Sequence, residues 1–180
     1  MDLFDAIEQR FSYREGFQDK PIGRDALRRI VEAGLRAPSG CNAQTTEFVI
    51  VDDPDTARRI GAMHDRNQAV REAKAFVLCI TDREPRPVYA DLHFQAEDCA
   101  AAVENMLLAI TAMGYASVWV DGWLRVEGRA QAIGRLVGLP PEKTVRVLLP
   151  VGIPKNPNAP RPKKKPFGER AWFNHYGEAS

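Results

Sequence analysis

The stretch Phe94-Gln-Ala-Glu-Asp-Cys-Ala-Ala-Ala-Val-Glu-Asn-Met-Leu-Leu-Ala-Ile-Thr-Ala-Met113 sets the plan of the chain. Ala100, Val103, Met106, Leu107 and Ile110 recur at helical spacing, which predicts one long central helix. Gly114 is placed to end it in a left-handed conformation. The unbroken apolar run inside it, around Met106 to Ala112, is far short of the ~20 residues that cross a bilayer.

Outward from this helix, elements alternate. Downstream, 117–120 reads as a strand, 128–137 as a helix and 145–151 as a further strand. Upstream, Ala75 to Thr81 is a strand of small and branched apolar residues. Pro54 opens a helix, as proline at a first turn does, and Phe48 to Val51 is a buried strand. Residues 24–35 place Leu27, Ile30, Val31 and Leu35 at helical spacing. A short first helix, about residues 2–9, carries Leu3, Phe4 and Ile7 on one face. The segment from Arg10 to Phe17 breaks that period. From Gly152 onward, prolines 154, 157, 160, 162 and 166 exclude a continuous helix or central strand. The result is a C-terminal arm ending in Phe167, Trp172, Phe173 and Tyr176.

Composition narrows the function classes. The chain has 180 residues, 44% hydrophobic and 27% charged, with a formal net charge of +1. We read residues 1–180 as a single domain. The balanced charge argues against a nucleic-acid partner, which needs many clustered cations. Cys41, Cys79 and Cys99 are too few and too irregularly spaced for a disulfide framework, and no metal-ligand spacing links them to a histidine. Core packing accounts for Cys79 and Cys99. The first residues carry acids and lack a basic region followed by an apolar run, so no secretory signal and no membrane association are expected, and the simple location is the cytoplasm.

Two short segments carry candidate chemistry. In Arg10-Phe-Ser12-Tyr-Arg14, an extended backbone would put Arg10, Ser12 and Arg14 on one side. Two guanidinium groups and a hydroxyl then form a polar fork suited to phosphate oxygens. A solvated basic turn satisfies the same residues. In Ala37-Pro-Ser-Gly-Cys-Asn42-Ala-Gln44, side-chain amides offer donor and acceptor together and could read the edge of a heteroaromatic ring. A helix stop followed by a polar turn fits equally.

Taken together and in order, these segments resemble the FMN-dependent nitroreductase family, in its short-chain branch. The likeness continues through Phe48 to Val51, Asp98 to Leu108, Gly114, Asp121-Gly122, Gly138-Leu-Pro140, Gly152-Ile-Pro154 and the basic close Lys163-Lys-Lys-Pro166. The resemblance implies an α+β fold with a central, mainly antiparallel sheet flanked by helices. It also implies an extended arm over 152–180 that reaches a partner subunit. The expected assembly is a homodimer holding FMN between its subunits, with NADH or NADPH as electron donor. Electrons would pass in ping-pong fashion to a small acceptor such as a nitroaromatic or a quinone. The alternatives are a flavin-binding or storage protein without turnover and a branch with other flavin chemistry.

Residue by residue, the resemblance gives Arg10, Ser12 and Arg14 the ribityl phosphate. Asn42 and Gln44 would touch the ring or ribityl chain, with Pro38 and Ser39 approaching flavin held mainly by the other subunit. The backbone near Gly122 would lie beside the reactive edge; of the flanking tryptophans, Trp123 and Trp119, one could stack near the flavin, while core or interface packing is the expected role of Trp119, which lies within the strand. Lys164 would stand where the family usually has a phosphate-binding arginine. No catalytic side chain is expected, because the flavin carries the chemistry. Departures from the pattern are Phe11 in place of a frequent arginine and Thr45-Thr46-Glu47 in place of the usual Pro-Trp or Pro-Phe.

Overall fold

The computed structural model describes residues 1–178. The helices are α1 (Leu3–Gln9), α2 (Arg24–Leu35), α3 (Pro54–Ala62), α4 (Gln68–Glu72), α5 (Gln95–Ala112) and α6 (Arg129–Leu136), and the strands are β1 (Glu47–Val51), β2 (Ala75–Asp82) and β3 (Lys143–Val151). Helix starts follow local chemistry. Asp2 caps α1 in a reciprocal capping box with Asp5, and Asp53 caps α3 with Pro54 in its first turn. Gly114, at φ 79°, ends α5 as expected.

The strands form an antiparallel sheet in the order β1-β2-β3. β2 is buried on both faces, so its alternation divides the core. Phe76, Leu78 and Ile80 meet Ala57 and Ile60 of α3, Val70 of α4 and Ile133 of α6. Ala75, Val77 and Cys79 meet Leu27 and Ile30 of α2, and Val103, Met106 and Ile110 of α5. This is the expected α+β fold, with helices on both sides of an antiparallel sheet. Cys79 and Cys99 are packed in the second cluster, the role expected of them.

Two local departures matter. The strand expected over 117–120 does not form a continuous ladder. It is tied to β3 by two isolated bridges, Ala116 with Gly152 and Val120 with Leu148. The pair between them would be Val118 opposite Pro150, and Pro150 has no N–H to give. In the β2–β3 pairing the register shifts between Cys79 and Ile80, whose partners on β3 are Val147 and Val145. Arg146 is the extra residue of that bulge, and its side chain leaves the ladder to pair with Asp121.

The apolar face of α1 also points outward. Ala6 is its buried residue, whereas Leu3 and Phe4 are 61% and 80% exposed. Beyond β3 the chain folds back on the segment after α1. Gln18 N donates to Ile153 O at 2.8 Å and Lys155 N to Gly16 O at 3.0 Å. Farther along, the arm holds one short 3₁₀ turn, Phe167–Glu169. Its last two expected residues, 179 and 180, lie outside the described residues. Among the described residues no helix is long and apolar enough to cross a membrane.

Candidate functional site

The backbone leaves α1 in an extended conformation at Arg10, and the next residues divide by side. Tyr13 is buried, stacks on Phe17 with ring centroids 5.5 Å apart, and meets Phe11 edge-on at 6.1 Å. The Tyr13 amide donates to Ser117 O at 2.9 Å, which fixes the segment beside the bridged edge of the sheet. Arg10 lines a cavity that Phe11 and Tyr13 also border, whereas Ser12 and Arg14 do not. Arg10 Nε lies 3.3 Å from Glu104 Oε1 on α5. Arg14 is exposed and donates from Nη1 to Ser12 O at 3.1 Å. The segment thus carries two guanidiniums and a hydroxyl, groups whose donors suit phosphate oxygens.

The second candidate segment is a strained loop packed on the first turn of α5. Cys41, Asn42 and Gln44 all have positive φ, at 49°, 56° and 52°. Such backbone costs on the order of 1 kcal/mol per residue for non-glycine and persists only where the surroundings enforce it. Asp98 does the enforcing. Its Oδ1 accepts from Gly40 N at 2.8 Å and its Oδ2 from Thr45 Oγ1 at 2.7 Å, so one carboxylate ties both ends of the loop. Ser39 Oγ accepts from Gln44 N at 3.0 Å. A Cβ on Gly40 would come within 2.4 Å of the Phe94 ring, so only glycine fits there. Pro38, Ser39 and Gln44 line a small hollow of about 40 Å³ with Asp98, where the Thr46 hydroxyl is buried without a partner. Asn42 is exposed beside it.

Asp98 is only 5% exposed, and sequence reading missed it as a site residue. The available signal was an acid in the first turn of the central helix, which also serves the helix dipole and so did not stand out.

Gly122 follows the bridged segment in a tight turn with open space where a Cβ would stand. The preceding Asp121 accepts from Arg125 at 2.6 and 2.7 Å and pairs with Arg146 from the bulge. Burial pulls its carboxyl upward, but the two arginines prevail and hold it below the usual carboxylate range. Trp123 is engaged rather than free. It stacks on His64 at 4.6 Å, with Arg129 5.0 Å from its ring centroid. Trp119 packs against the core, as expected.

The basic close begins beside the segment after α1. Lys164 is exposed, whereas Arg161, three residues earlier, places its guanidinium 5.4 Å over the Phe11 ring.

Helices on both faces of an antiparallel sheet, a cationic extended segment after the first helix and a strained polar loop on the central helix define the class as a nitroreductase-like α+β protein. The sequence model of the nitroreductase family matches residues 7–84 and 63–153, and the chain belongs to that family. A Thermus thermophilus protein named NADH dehydrogenase is 30% identical over 175 residues, covering 89% of this chain and 83% of its own. A Desulfovibrio desulfuricans protein, provisionally named nitroreductase and solved in complex with FMN, is 31% identical. It covers 94% of both chains with a TM-score of 0.75. A Bacteroides thetaiotaomicron protein, provisionally named NADH dehydrogenase/NAD(P)H nitroreductase, is 26% identical. Its TM-score is 0.80 over 97% of this chain and 98% of its own.

Proposed function

We propose that the protein is an FMN-dependent NAD(P)H oxidoreductase that works as a homodimer. The observation that carries this reading is the cationic segment after α1, anchored by Phe11 and Tyr13 and bearing Arg10, Ser12 and Arg14. The FMN held by the Desulfovibrio relative and the nicotinamide donors named for the others support it.

When bound, FMN supplies the hydride chemistry, accepting electrons from NAD(P)H and delivering them in ping-pong fashion to a small acceptor such as a nitroaromatic or quinone. The chain binds and orients it. Arg10, Ser12 and Arg14 hold the phosphate, with Lys164 of the arm as a further cation. Asn42 and Gln44 meet the ring or ribityl chain. Pro38 and Ser39 approach flavin held mainly by the other subunit, and the Gly122 turn, braced by Asp121, lies beside the ring edge. The exposed apolar residues of α1 and of the arm, among them Phe4, Phe167 and Phe173, are large enough to favour association with a second copy. Residues 152–178 then reach across that partner, and the whole chain acts as one domain in the cytoplasm.

The visible spectrum of the purified protein tests the reading. A flavin absorbance, bleached by anaerobic NADH or NADPH and restored by an acceptor, supports it. A colourless protein that gains neither absorbance nor thermal stability with added FMN overturns it. Flavin binding without NAD(P)H oxidation leaves a storage protein instead.

A further inference from the structure

His64, just past α3, stacks on Trp123 with ring centroids 4.6 Å apart and planes 20° from parallel. The Arg129 guanidinium lies 5.0 Å from the centroid of the same indole, and its Nη1 donates to Trp123 O at 3.1 Å. A ring from the end of α3 and a cation from the first turn of α6 thus grip one tryptophan, the neighbour of Gly122. The grip is sensitive to one proton. His64 Nδ1 accepts from the amides of Arg66 and Asn67, both at 3.2 Å, so the neutral ring carries its hydrogen on Nε2. A second proton can enter only at Nδ1. There it sets an N–H against two N–H donors and brings a second positive charge to an indole already beside Arg129. The imidazole is 11% exposed, so solvent protons reach it.

The charged groups that bear on the ring come from two places. Asp65, on its own loop, has Oδ1 3.7 Å from Nδ1 and shares its carboxylate with Arg66 at 3.6 Å. Arg129, on α6, is paired with Glu127. Burial, opposed by Asp65 and joined by Arg129, holds the imidazole below its ordinary value. The gripped segment is itself poised to open. Glu127 and Gly128 stand consecutively at φ 56° and 66°, a strained backbone for glutamate. Trp123 Nε1 and Asn67 Oδ1 are buried without a hydrogen-bond partner among the described residues, and opening gives both to water.

We propose that His64 is a proton-operated latch on residues 122–128: the neutral ring clamps Trp123 and keeps that turn closed, whereas the imidazolium leaves the stack and loosens it. The latch needs no cofactor. Its consequence, that acidification weakens flavin binding beside the turn, rests on the flavin reading above.

Tryptophan emission of the full-length protein without FMN, followed from pH 8 to 4.5, tests the latch. A red shift is expected below about pH 6.5, with far-UV circular dichroism constant. The shift should be absent in Trp123→Phe, which removes the reporter, and in His64→Phe, which keeps an aromatic stack that cannot charge. No shift in the unaltered protein, or the same shift in either variant, overturns the proposal. Circular dichroism lost in step with the shift also overturns it, since the chain is then unfolding as a whole. The FMN dissociation constant on either side of the transition tests the consequence. It should rise about fivefold or more on the acid side, and less than about twofold in His64→Phe. An equal rise in both proteins overturns the link to the site. A protein that binds no FMN at pH 8 defeats the flavin reading alone, and the emission titration still decides the latch.

Discussion

Asp98 accepts the amide of Gly40 at 2.8 Å across 58 residues of sequence, joining the first turn of the central helix to the strained loop that carries Asn42 and Gln44. The loop's three positive-φ residues persist because this carboxylate and its second contact, Thr45 Oγ1, hold both ends.

Replacing Asp98 with alanine is therefore expected to cost about 1–3 kcal/mol, the range for removing a buried charged acceptor from two half-buried donors. Asp98→Asn keeps an acceptor and should cost less. Equilibrium urea unfolding measures both, and equal losses would show that the charge is irrelevant to the tie.

Gly40 and Phe94 form a steric pair. Gly40→Ala drives a methyl into the Phe94 ring and should destabilise by about 1–3 kcal/mol. Pairing it with Phe94→Ala should restore part of that loss, so the double variant is less unstable than the sum of the singles. Simple additivity in thermal melts would contradict the contact.

Truncating the fork should weaken FMN binding without unfolding the chain. Arg10→Ala and Arg14→Ala are each expected to raise the FMN dissociation constant roughly 10–100-fold, from the loss of a charged hydrogen bond. Ser12→Ala should raise it by about fivefold, the value of a neutral bond. Fluorescence titration of FMN gives the constants, and unchanged affinity in both arginine variants would remove the fork from the site.

His64 gives a pH signature. Burial pushes its imidazole below the ordinary value, Asp65 opposes this and Arg129 adds to it. Its Nδ1 accepts from the amides of Arg66 and Asn67, both at 3.2 Å, which favours the neutral ring. The unfolded chain therefore takes up this proton first as the pH falls. The stability that His64 contributes is complete above about pH 6.5 and drains as pH drops from there through the folded value. His64→Phe should flatten that part of the stability-against-pH curve, measured by urea unfolding between pH 4.5 and 8. An unchanged slope would assign it to other groups.

Phe4 is 80% exposed at the end of an apolar stripe on α1. If that stripe meets a second copy, Phe4→Asp should shift sedimentation from dimer to monomer at micromolar concentration. Removal of residues 160–180 should weaken the dimer as well, and an unaltered dimer in both variants would place the interface elsewhere.

The sequence alone determined what depends on near neighbours in the chain. Helical and alternating periods, the proline that opens α3 and the glycine that ends α5 follow from backbone geometry over one to four residues. Order of motifs then sufficed to recognise the family. The tertiary structure decided what depends on register and distant contact. Pro150 interrupts an edge strand only because it falls opposite Val118, and Arg146 reaches Asp121 only because a bulge sets it out of the ladder. Asp98 became a loop anchor, and Arg161 rather than Lys164 came to lie over Phe11. α1 turned Leu3, Phe4 and Ile7 outward and buried Ala6. Such outcomes are set by which surfaces meet after collapse, and a local pattern contains no term for that.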